Sequence, residues 1–303
     1  MRKSAAAAAL MLLLFAPRAH GYGFLLVPGG EGLARRWALN GVLSAPIPWT
    51  LTRATPNQLA GERSVLDVTS VVFGRWEGLE ESAIRFAFQG TVRQREHSSV
   101  DRVNLVTFAQ PGELGTGVLG ATFLTSLSDG RITDADIVLS GDVPFSTRID
   151  AAAGEYDLES VLTHEVGHLI GLEHSGLIRA TMAPFTDRRD VHQRTPETDD
   201  AIGAGLLYPE GTFPAGRGSL AGRVTRDDAG VFLAHVVATH ISGRVEASTY
   251  SEPDGGFRID GLPDDTYVVH AERLDGPVFP ANIAAVREGF GESETTGYDT
   301  NFH

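Results

Sequence analysis

The sequence predicts an α+β protein with two folded regions. Up to about residue 210, apolar runs typical of strands occur together with two runs whose apolar residues have helical spacing. Beyond a glycine- and proline-rich stretch at 211–218, the apolar runs are short and separated by turn residues, as in a small β-sandwich. We therefore expect residues 22–210 to form one domain, 211–218 a linker, and 219–303 a second, all-β domain.

Residues 1–21 have the pattern of a secretory signal peptide. Arg2 and Lys3 give a positive start, residues 5–16 form an apolar core, and small residues surround the expected cleavage site. The apolar run is short for a membrane span, and a buried N-terminal helix is the alternative interpretation. The pattern predicts a secreted, extracellular protein.

Within the first domain, the sequence predicts two helices and several strands. Thr55 is a candidate N-cap for the first helix, which would end near Gly74. Asp157 is placed to cap the second helix, in which apolar residues recur every three or four positions from Leu158. The predicted strands lie at residues 47–51, 84–88, 103–108 and 115–124.

The charge of the chain limits its partners. The formal net charge of −14 comes from acidic residues spread along the sequence. Such a distribution favours solubility and argues against nucleic-acid binding, which depends on basic patches. After the N-terminal segment, no stretch approaches transmembrane length. We expect a monomer without a nucleic-acid partner or a membrane span.

The segment from His164 to His174 reads His-Glu-Val-Gly-His-Leu-Ile-Gly-Leu-Glu-His. On a helix, His164 and His168 lie on one face, one turn apart. Gly171 can end the helix in a left-handed conformation, so that the chain turns back and brings His174 to the same point. Three imidazoles can hold a catalytic zinc ion, which keeps a fourth position for water.

Glu165 follows the first histidine and can reach that water as a general base without binding the metal. A bare His-Glu-x-x-His pattern would also fit an amphipathic helix with two surface histidines. The glycine and the third histidine at fixed offsets favour the zinc site. The extended pattern HExxHxxGxxH is the metzincin signature among metalloproteases.

Two further features indicate a branch of the metzincins. Met182 lies downstream in the segment Ala180–Phe185, as the metzincin Met-turn requires. Ser175 follows the third histidine, and Glu-His-Ser resembles the matrixin (matrix metalloprotease-like) branch. Residues 130–138 resemble the strand before the active-site helix of that family, and the similarity extends over about residues 37–209. The resemblance implies a metzincin fold, with a twisted mixed sheet packed against the active-site helix.

The resemblance also implies an activity. A matrixin would be a secreted zinc endopeptidase that hydrolyses peptide bonds of proteins. One zinc ion would be held by His164, His168 and His174, with Glu165 as general base and Met182 as the hydrophobic floor beneath the metal.

The same resemblance implies where a substrate binds. Gly120 and Ala121 would lie on the edge strand above the active site, where an extended peptide can pair. A simple sheet edge protected by loops is the alternative. Pro184 and Phe185 would form the wall of the pocket for the side chain after the scissile bond.

The chain departs from the animal matrixins in two respects. It contains no cysteine, so the propeptide thiol that keeps those enzymes latent is missing. It has no histidine from residue 98 to 163, where the family carries a second, structural zinc, and we interpret His97 as a surface residue. We therefore expect one zinc ion per chain. Structural calcium, held by some of the acidic residues, is a further candidate beside the simpler interpretation of a solvated acidic surface.

In the second domain, the segment Gly255–Pro263 followed by Tyr267 resembles the carboxypeptidase regulatory-like (transthyretin-like) repeat domain. Asp265 stands where that family more often has glycine. We interpret three histidines without metal-ligand spacing as ordinary sandwich residues: His235, His240 and His270.

Two other classes of function remain open from the sequence. The first is a binding module whose groove captures a peptide without cleaving it, against which the intact Glu165 argues. The second is a structural surface protein in which residues 216–303 alone bind a surface or a glycan. A protease assay with and without a chelator separates the first class from an enzyme.

Overall fold

The computed structural model describes residues 23–30, 32–38, 43–94, 96–150 and 154–283, and the backbone of residues 300–302. The predicted signal peptide at 1–21 lies outside the described residues. Strands and helices are mixed up to residue 207, and beyond it the described elements are strands and one 3-10 helix. The predicted α+β class is confirmed.

A six-stranded mixed sheet forms the centre of the first region. In chain order the strands of this region are β1 (Ile47–Thr52), β2 (Leu59–Ala60), β3 (Phe86–Val92), β4 (Leu105–Phe108), β5 (Gly120–Ser126), β6 (Ile132–Leu139), β7 (Phe145–Ser146) and β8 (Tyr156–Asp157). The large sheet has the order β16-β5-β6-β4-β1-β3, where β16 is Thr300–Phe302, and β2, β7 and β8 form a small parallel sheet. Strand β5 is antiparallel to both neighbours, and the other pairs are parallel.

Among the described residues, three α-helices accompany the sheet: α1 (Val65–Glu77), α2 (Leu158–Leu169) and α3 (Thr198–Leu207); a 3-10 helix, His192–Arg194, precedes α3. Helix α2 contacts α1 as well as strands β5 and β6, and all of its residues are buried. The indole N–H of Trp76 in α1 donates to the Thr163 carbonyl oxygen at 3.1 Å. Helix α2 is therefore enclosed by its neighbours. In the described part of the chain, no helix combines the length and apolar character needed to cross a membrane.

The first helix begins later than the sequence predicts, so the prediction of Thr55 as its N-cap is wrong. The Ser64 hydroxyl accepts a hydrogen bond from the Asp67 N–H at 3.1 Å, and the Asp67 carboxylate accepts one from the Ser64 N–H at 3.3 Å. This capping box satisfies two backbone donors at the true start of α1. Residues 59–60 are unavailable to a helix because they pair with β7.

Strand β5 also differs from the expectation of an open edge. It begins at Gly120 rather than at Gly115, and its outer side pairs with β16. In this antiparallel register, residues 300–302 lie opposite residues 122–120. On the outer side of β5, residues 120–122 therefore already have a partner strand.

The C-terminal region consists of short antiparallel strands, as predicted. They are β9 (Gly218–Arg223), β10 (Thr225–Arg226), β11 (Ala229–Gly230), β12 (His235–His240), β13 (Val245–Tyr250), β14 (Gly256–Leu262) and β15 (Tyr267–Glu272). They form sheets with the orders β13-β12-β15, β14-β9 and β10-β11. The division into a separate β-sandwich domain stays a prediction.

These strands pack directly on the first region. Helix α3 contacts β13 and β14. A Cβ atom at Gly261 would lie 2.8 Å from Ile202 Cγ2, and one at Gly205 would lie 2.8 Å from Phe213 Cε1. Most of the predicted linker at 211–218 therefore forms turns, with Gly218 already in β9, and its Phe213 ring packs against α3 at Gly205.

Candidate metal centre

Charged side chains fix the N-terminal end of α2. Asp157 Oδ1 accepts a hydrogen bond from a backbone N–H of the first turn at 2.8 Å, as expected of an N-cap. Arg194 Nη2 lies 2.6 Å from Asp157 Oδ2, and the buried carboxylate of Glu159 pairs with Arg63 and Arg75. Because a buried charge is tolerated only when it is paired, these contacts hold the first turn of the helix in one position.

Helix α2 and the turn after it bring three histidines together. His164 and His168 lie one turn apart on α2, and the chain then passes through Gly171, whose φ angle is +104°. A Cβ atom at this position would also collide with the Arg35 carbonyl oxygen. Both the backbone conformation and the neighbouring chain therefore require glycine. The reversal of the chain places His174 beside the first two histidines.

The three imidazole rings converge on one point. One ring nitrogen from each lies within 4.8 Å of the other two, and the ring centroids are 4.6 to 5.2 Å apart. None of the three residues is more than 3% exposed. The structure therefore brings together all three predicted ligands, His164, His168 and His174.

Backbone carbonyl groups fix the orientation of each ring. Because a carbonyl oxygen can only accept, each Nδ1 atom carries the proton and leaves Nε2 for a metal. Carbonyl partners of this kind orient metal-binding histidines and select their tautomer. The Nδ1–O distances are 2.8 Å from His164 to Thr181, 2.8 Å from His168 to Leu172, and 2.5 Å from His174 to Asn282.

This arrangement fits a zinc ion. Burial, and then the charges of the neighbouring histidines, lower the pKa of His164 and of His168 well below the ordinary value. Both imidazoles are therefore neutral, as ligation requires. Among the described residues, the three histidines are the one cluster of three or more potential ligands. Neutral imidazoles in a set of three are typical of catalytic zinc sites.

Glu165 is fully buried beside the histidines. Its Oε2 atom accepts a hydrogen bond from Thr122 Oγ1 at 2.7 Å, and its Oε1 atom has no hydrogen-bond partner among the described residues. Burial raises the pKa of Glu165 to about 8, an effect that the Thr122 hydrogen bond only partly offsets. A nearby metal cation would favour the ionised carboxylate.

Strand β5 passes directly over this carboxylate. A Cβ atom at Gly120 would lie 2.7 Å from Glu165 Oε1, so a side chain there would displace the glutamate. Thr122 lies two residues further and therefore on the same face of the strand. The sequence analysis missed Thr122, although its spacing from Gly120 was an available signal.

Met182 packs against α2 at Gly167. It is buried, and a Cβ atom at Gly167 would overlap its sulfur atom. Asp200 in α3 holds this turn, since its carboxylate accepts hydrogen bonds from the Thr181 N–H at 3.0 Å and the Met182 N–H at 3.3 Å. The sequence analysis did not assign this role to Asp200.

The other predicted residues differ in how buried they are. Pro184 is buried and Phe185 is 37% exposed, so Phe185 presents apolar surface to solvent. Ala121 is buried in β5 and does not project into open space. The description of His97 as a surface residue needs correction, because its ring is partly buried and stacks on Phe123 at a centroid distance of 4.2 Å.

The raised pKa of Glu165 predicts a pH-dependent stability of the metal-free protein. The folded protein keeps this proton up to about pH 8, whereas the unfolded chain releases it near pH 4.5. The contribution of the protonated Glu165 carboxyl group to the free energy of unfolding is therefore complete below pH 4.5 and is lost as the pH rises through 8. Relative to Glu165→Gln, the free energy of unfolding of the wild type should fall by about 1.4 kcal/mol per pH unit between pH 5 and 8.

Urea unfolding of both metal-free proteins across this range measures the difference. The Gln variant is the matched control, because it keeps the shape of the side chain and cannot titrate. Parallel stability curves for the two proteins would contradict the raised pKa.

Comparison with known proteins identifies the family. The sequence model of matrixin, Peptidase M10, matches residues 45–209, which is more than half of the chain. Metalloendoproteinase 1 of Glycine max is 49% identical over 95 residues, which cover 30% of this chain and 29% of that protein. Metalloendoproteinase 2-MMP of Arabidopsis thaliana is 34% identical over 151 residues, covering 48% and 37% respectively.

A third relative is similar over a comparable stretch. Metalloendoproteinase 4-MMP of Arabidopsis thaliana is 38% identical over 104 residues, which cover 34% of this chain and 29% of that protein. The chain thus spans about a third of the length of the curated relatives it matches. The matched residues include the three converging histidines, Glu165 and the methionine turn, and the chain belongs to the matrixin family.

Proposed function

We propose that the protein is a secreted zinc-dependent endopeptidase. The observation that carries the proposal is the convergence of His164, His168 and His174 on one buried point next to the carboxylate of Glu165. Membership of the matrixin family and similarity to proteins named metalloendoproteinases support the same activity.

Secretion is proposed from the signal pattern at residues 1–21. N-terminal sequencing of protein recovered from the culture medium tests it, since a chain that still began at Met1 would contradict export with cleavage.

In the proposed reaction, the three histidines would hold zinc through their Nε2 atoms, which the carbonyl contacts of Nδ1 leave available. When bound, zinc supplies Lewis-acid polarisation of the peptide carbonyl group and increases the acidity of water. Glu165 takes a proton from the attacking water and delivers it to the leaving amine. The Thr122 hydroxyl donates a hydrogen bond to Oε2 of Glu165, so Oε1 of Glu165 is the oxygen that takes the proton. Met182 packs against Gly167 and so supports α2.

The substrate would be an extended segment of a protein. Such a segment would pair with the outer side of β5 at Gly120 and Ala121, next to Glu165. The exposed surface of Phe185, which follows the buried Pro184, supports an apolar wall for the side chain after the scissile bond. A bulky apolar residue at that substrate position would then be preferred.

Glu165→Gln tests the assignment of the general base. The variant should keep its zinc and lose about 10²–10⁴-fold in turnover, because the amide cannot take the proton. Turnover of a fluorogenic peptide and bound zinc should be measured on the same samples. Glu113→Gln is the control, since Glu113 is an exposed carboxylate that also accepts one hydrogen bond, from the Gln110 N–H at 2.7 Å. Wild-type turnover in Glu165→Gln would show that another group is the base.

The metal content provides a separate prediction. We propose one zinc ion per chain and, from the family resemblance and the acidic composition, structural calcium. In the described residues, no acidic cluster accompanies the histidine site, so elemental analysis of the protein has to decide on calcium. We expect one equivalent of zinc, which His174→Ala should reduce without changing the calcium content. Two equivalents of zinc would contradict the single site, and calcium at background level would remove the calcium proposal.

A further inference from the structure

Residues outside the matrixin match contact the third histidine. Tyr250 in β13 donates its hydroxyl hydrogen to the His174 carbonyl oxygen at 2.9 Å. The Asn282 carbonyl oxygen accepts from His174 Nδ1 at 2.5 Å. Both residues lie beyond position 209, where the match ends. We propose that Tyr250 and Asn282 position His174 for metal binding, so that the C-terminal region completes the metal centre. This inference rests on the proposed zinc site.

The three rings differ in the origin of their carbonyl partners. Thr181 and Leu172, which hold His164 and His168, belong to the matched region. The carbonyl partner of the His174 ring, Asn282, lies beyond residue 209 and so outside the matched region. The third ligand therefore takes its orientation from a different part of the chain.

Glu173 also carries an acceptor close to His174. Its Oε1 atom accepts the His174 backbone N–H at 2.8 Å and lies 3.4 Å from His174 Nδ1. The first distance is typical of a hydrogen bond and the second is longer than one. Glu173 thus binds the backbone N–H of His174, and the Asn282 carbonyl oxygen accepts from Nδ1 of the ring.

The strand that carries Tyr250 is tied to the same loop through a buried carboxylate. The Ser248 N–H donates to Asp199 Oδ1 at 2.7 Å, and Ser175 Oγ donates to Asp199 Oδ2 at 2.9 Å. Ser175 directly follows His174, so β13 is connected to this loop by Asp199 as well as by Tyr250. Asp199 and Tyr250 are both buried. Removing a partner from such a buried network costs more than the loss of an exposed hydrogen bond.

The Asn282 carbonyl group is held in place by its own turn. Asn282 lies in the 3-10 helix Pro280–Ile283, and its side-chain Oδ1 accepts from the Phe279 N–H at 2.8 Å. Ile283 is fully buried and anchors the end of this turn. The side chain of Asn282 therefore controls the position of its own carbonyl group. A substitution of this side chain can thus disturb the contact between the Asn282 carbonyl oxygen and His174 Nδ1.

Tyr250→Phe tests the first contact. The variant should bind zinc about tenfold more weakly or worse, the range found when groups that orient metal ligands are removed. Competition with a chromophoric chelator measures the zinc affinity, and the absorption spectrum of the cobalt-substituted protein reports the ligand geometry. Tyr267→Phe is the control, because the Tyr267 hydroxyl also donates to a backbone carbonyl oxygen, that of Pro263 at 2.8 Å, and its ring lies beside His240 rather than beside a proposed metal ligand. The control should keep its zinc affinity and its cobalt spectrum.

Asn282→Ala and Asn282→Asp test the second contact. Alanine removes the acceptor for the Phe279 N–H and should weaken zinc binding, whereas aspartate keeps an acceptor and should restore it. Equal zinc affinity of the wild type, Tyr250→Phe and Asn282→Ala would overturn the positioning role. Weaker zinc binding of Tyr267→Phe by the same factor as Tyr250→Phe would also overturn it, because the effect would then be general destabilisation. Failure of the wild type to bind zinc would instead contradict the proposed function.

A separate observation, the pairing of β16 with β5, supports a second inference. Residues 300–302 run antiparallel to residues 120–122, on the strand that passes over Glu165. They also contact α2. One side of a strand can pair with only one partner at a time. We infer that residues 300–302 compete with the substrate for β5 and so limit the activity of the proposed enzyme.

Deletion of residues 300–303 tests this competition. The KM for a peptide substrate should fall about threefold or more while kcat stays constant, because the apparent affinity is reduced by the fraction of molecules whose site is occupied. Asn301→Pro, which removes a backbone donor from the strand, should act in the same direction, and Asn301→Ala should not. An unchanged KM in the deletion variant would overturn the inference. Absence of cleavage by every variant, including the wild type, would count against the proposed function instead.

Discussion

Three imidazole rings share one buried point in this protein, and the surrounding structure is arranged to keep them there. In each buried ring, the Nδ1 atom needs a hydrogen-bond partner, because an unpaired buried polar group costs about 1–3 kcal/mol. Backbone carbonyl groups meet that need at every Nδ1 atom. The Nε2 atoms are left facing one another, which is favourable once a cation lies between them.

Close approach of backbones makes this arrangement possible. Gly120 lets β5 pass over the Glu165 carboxylate, Gly167 leaves room for the Met182 sulfur, and Gly171 allows the chain to reverse against Arg35. At each position a Cβ atom would displace either a proposed catalytic group or the chain that supports it. At the N-terminal end of α2, the carboxylates of Asp157 and Glu159 are paired with arginine side chains. Together with the turn at Gly171, these ion pairs fix both ends of the helix that carries two of the histidines.

Local features of the site could be predicted from the sequence, and distant contacts could not. The spacing of His164, His168 and His174 and the glycine before the last of them determine the geometry through helix periodicity alone. Thr122 and Asp200 were missed because their hydrogen bonds link residues far apart in the chain. The start of α1 was misplaced because the short strand β2 takes up residues that would otherwise extend the helix. Nor does any sequence pattern place residues 300–302 beside β5.

We propose that the three histidines together bind one zinc ion. X-ray absorption at the zinc edge, recorded on the protein loaded with one equivalent of zinc, counts the imidazole ligands. We expect three imidazole nitrogens at about 2.0–2.1 Å in the wild type and two in His174→Ala. A spectrum with fewer than three imidazole ligands in the wild type, or one unchanged by His174→Ala, would contradict it.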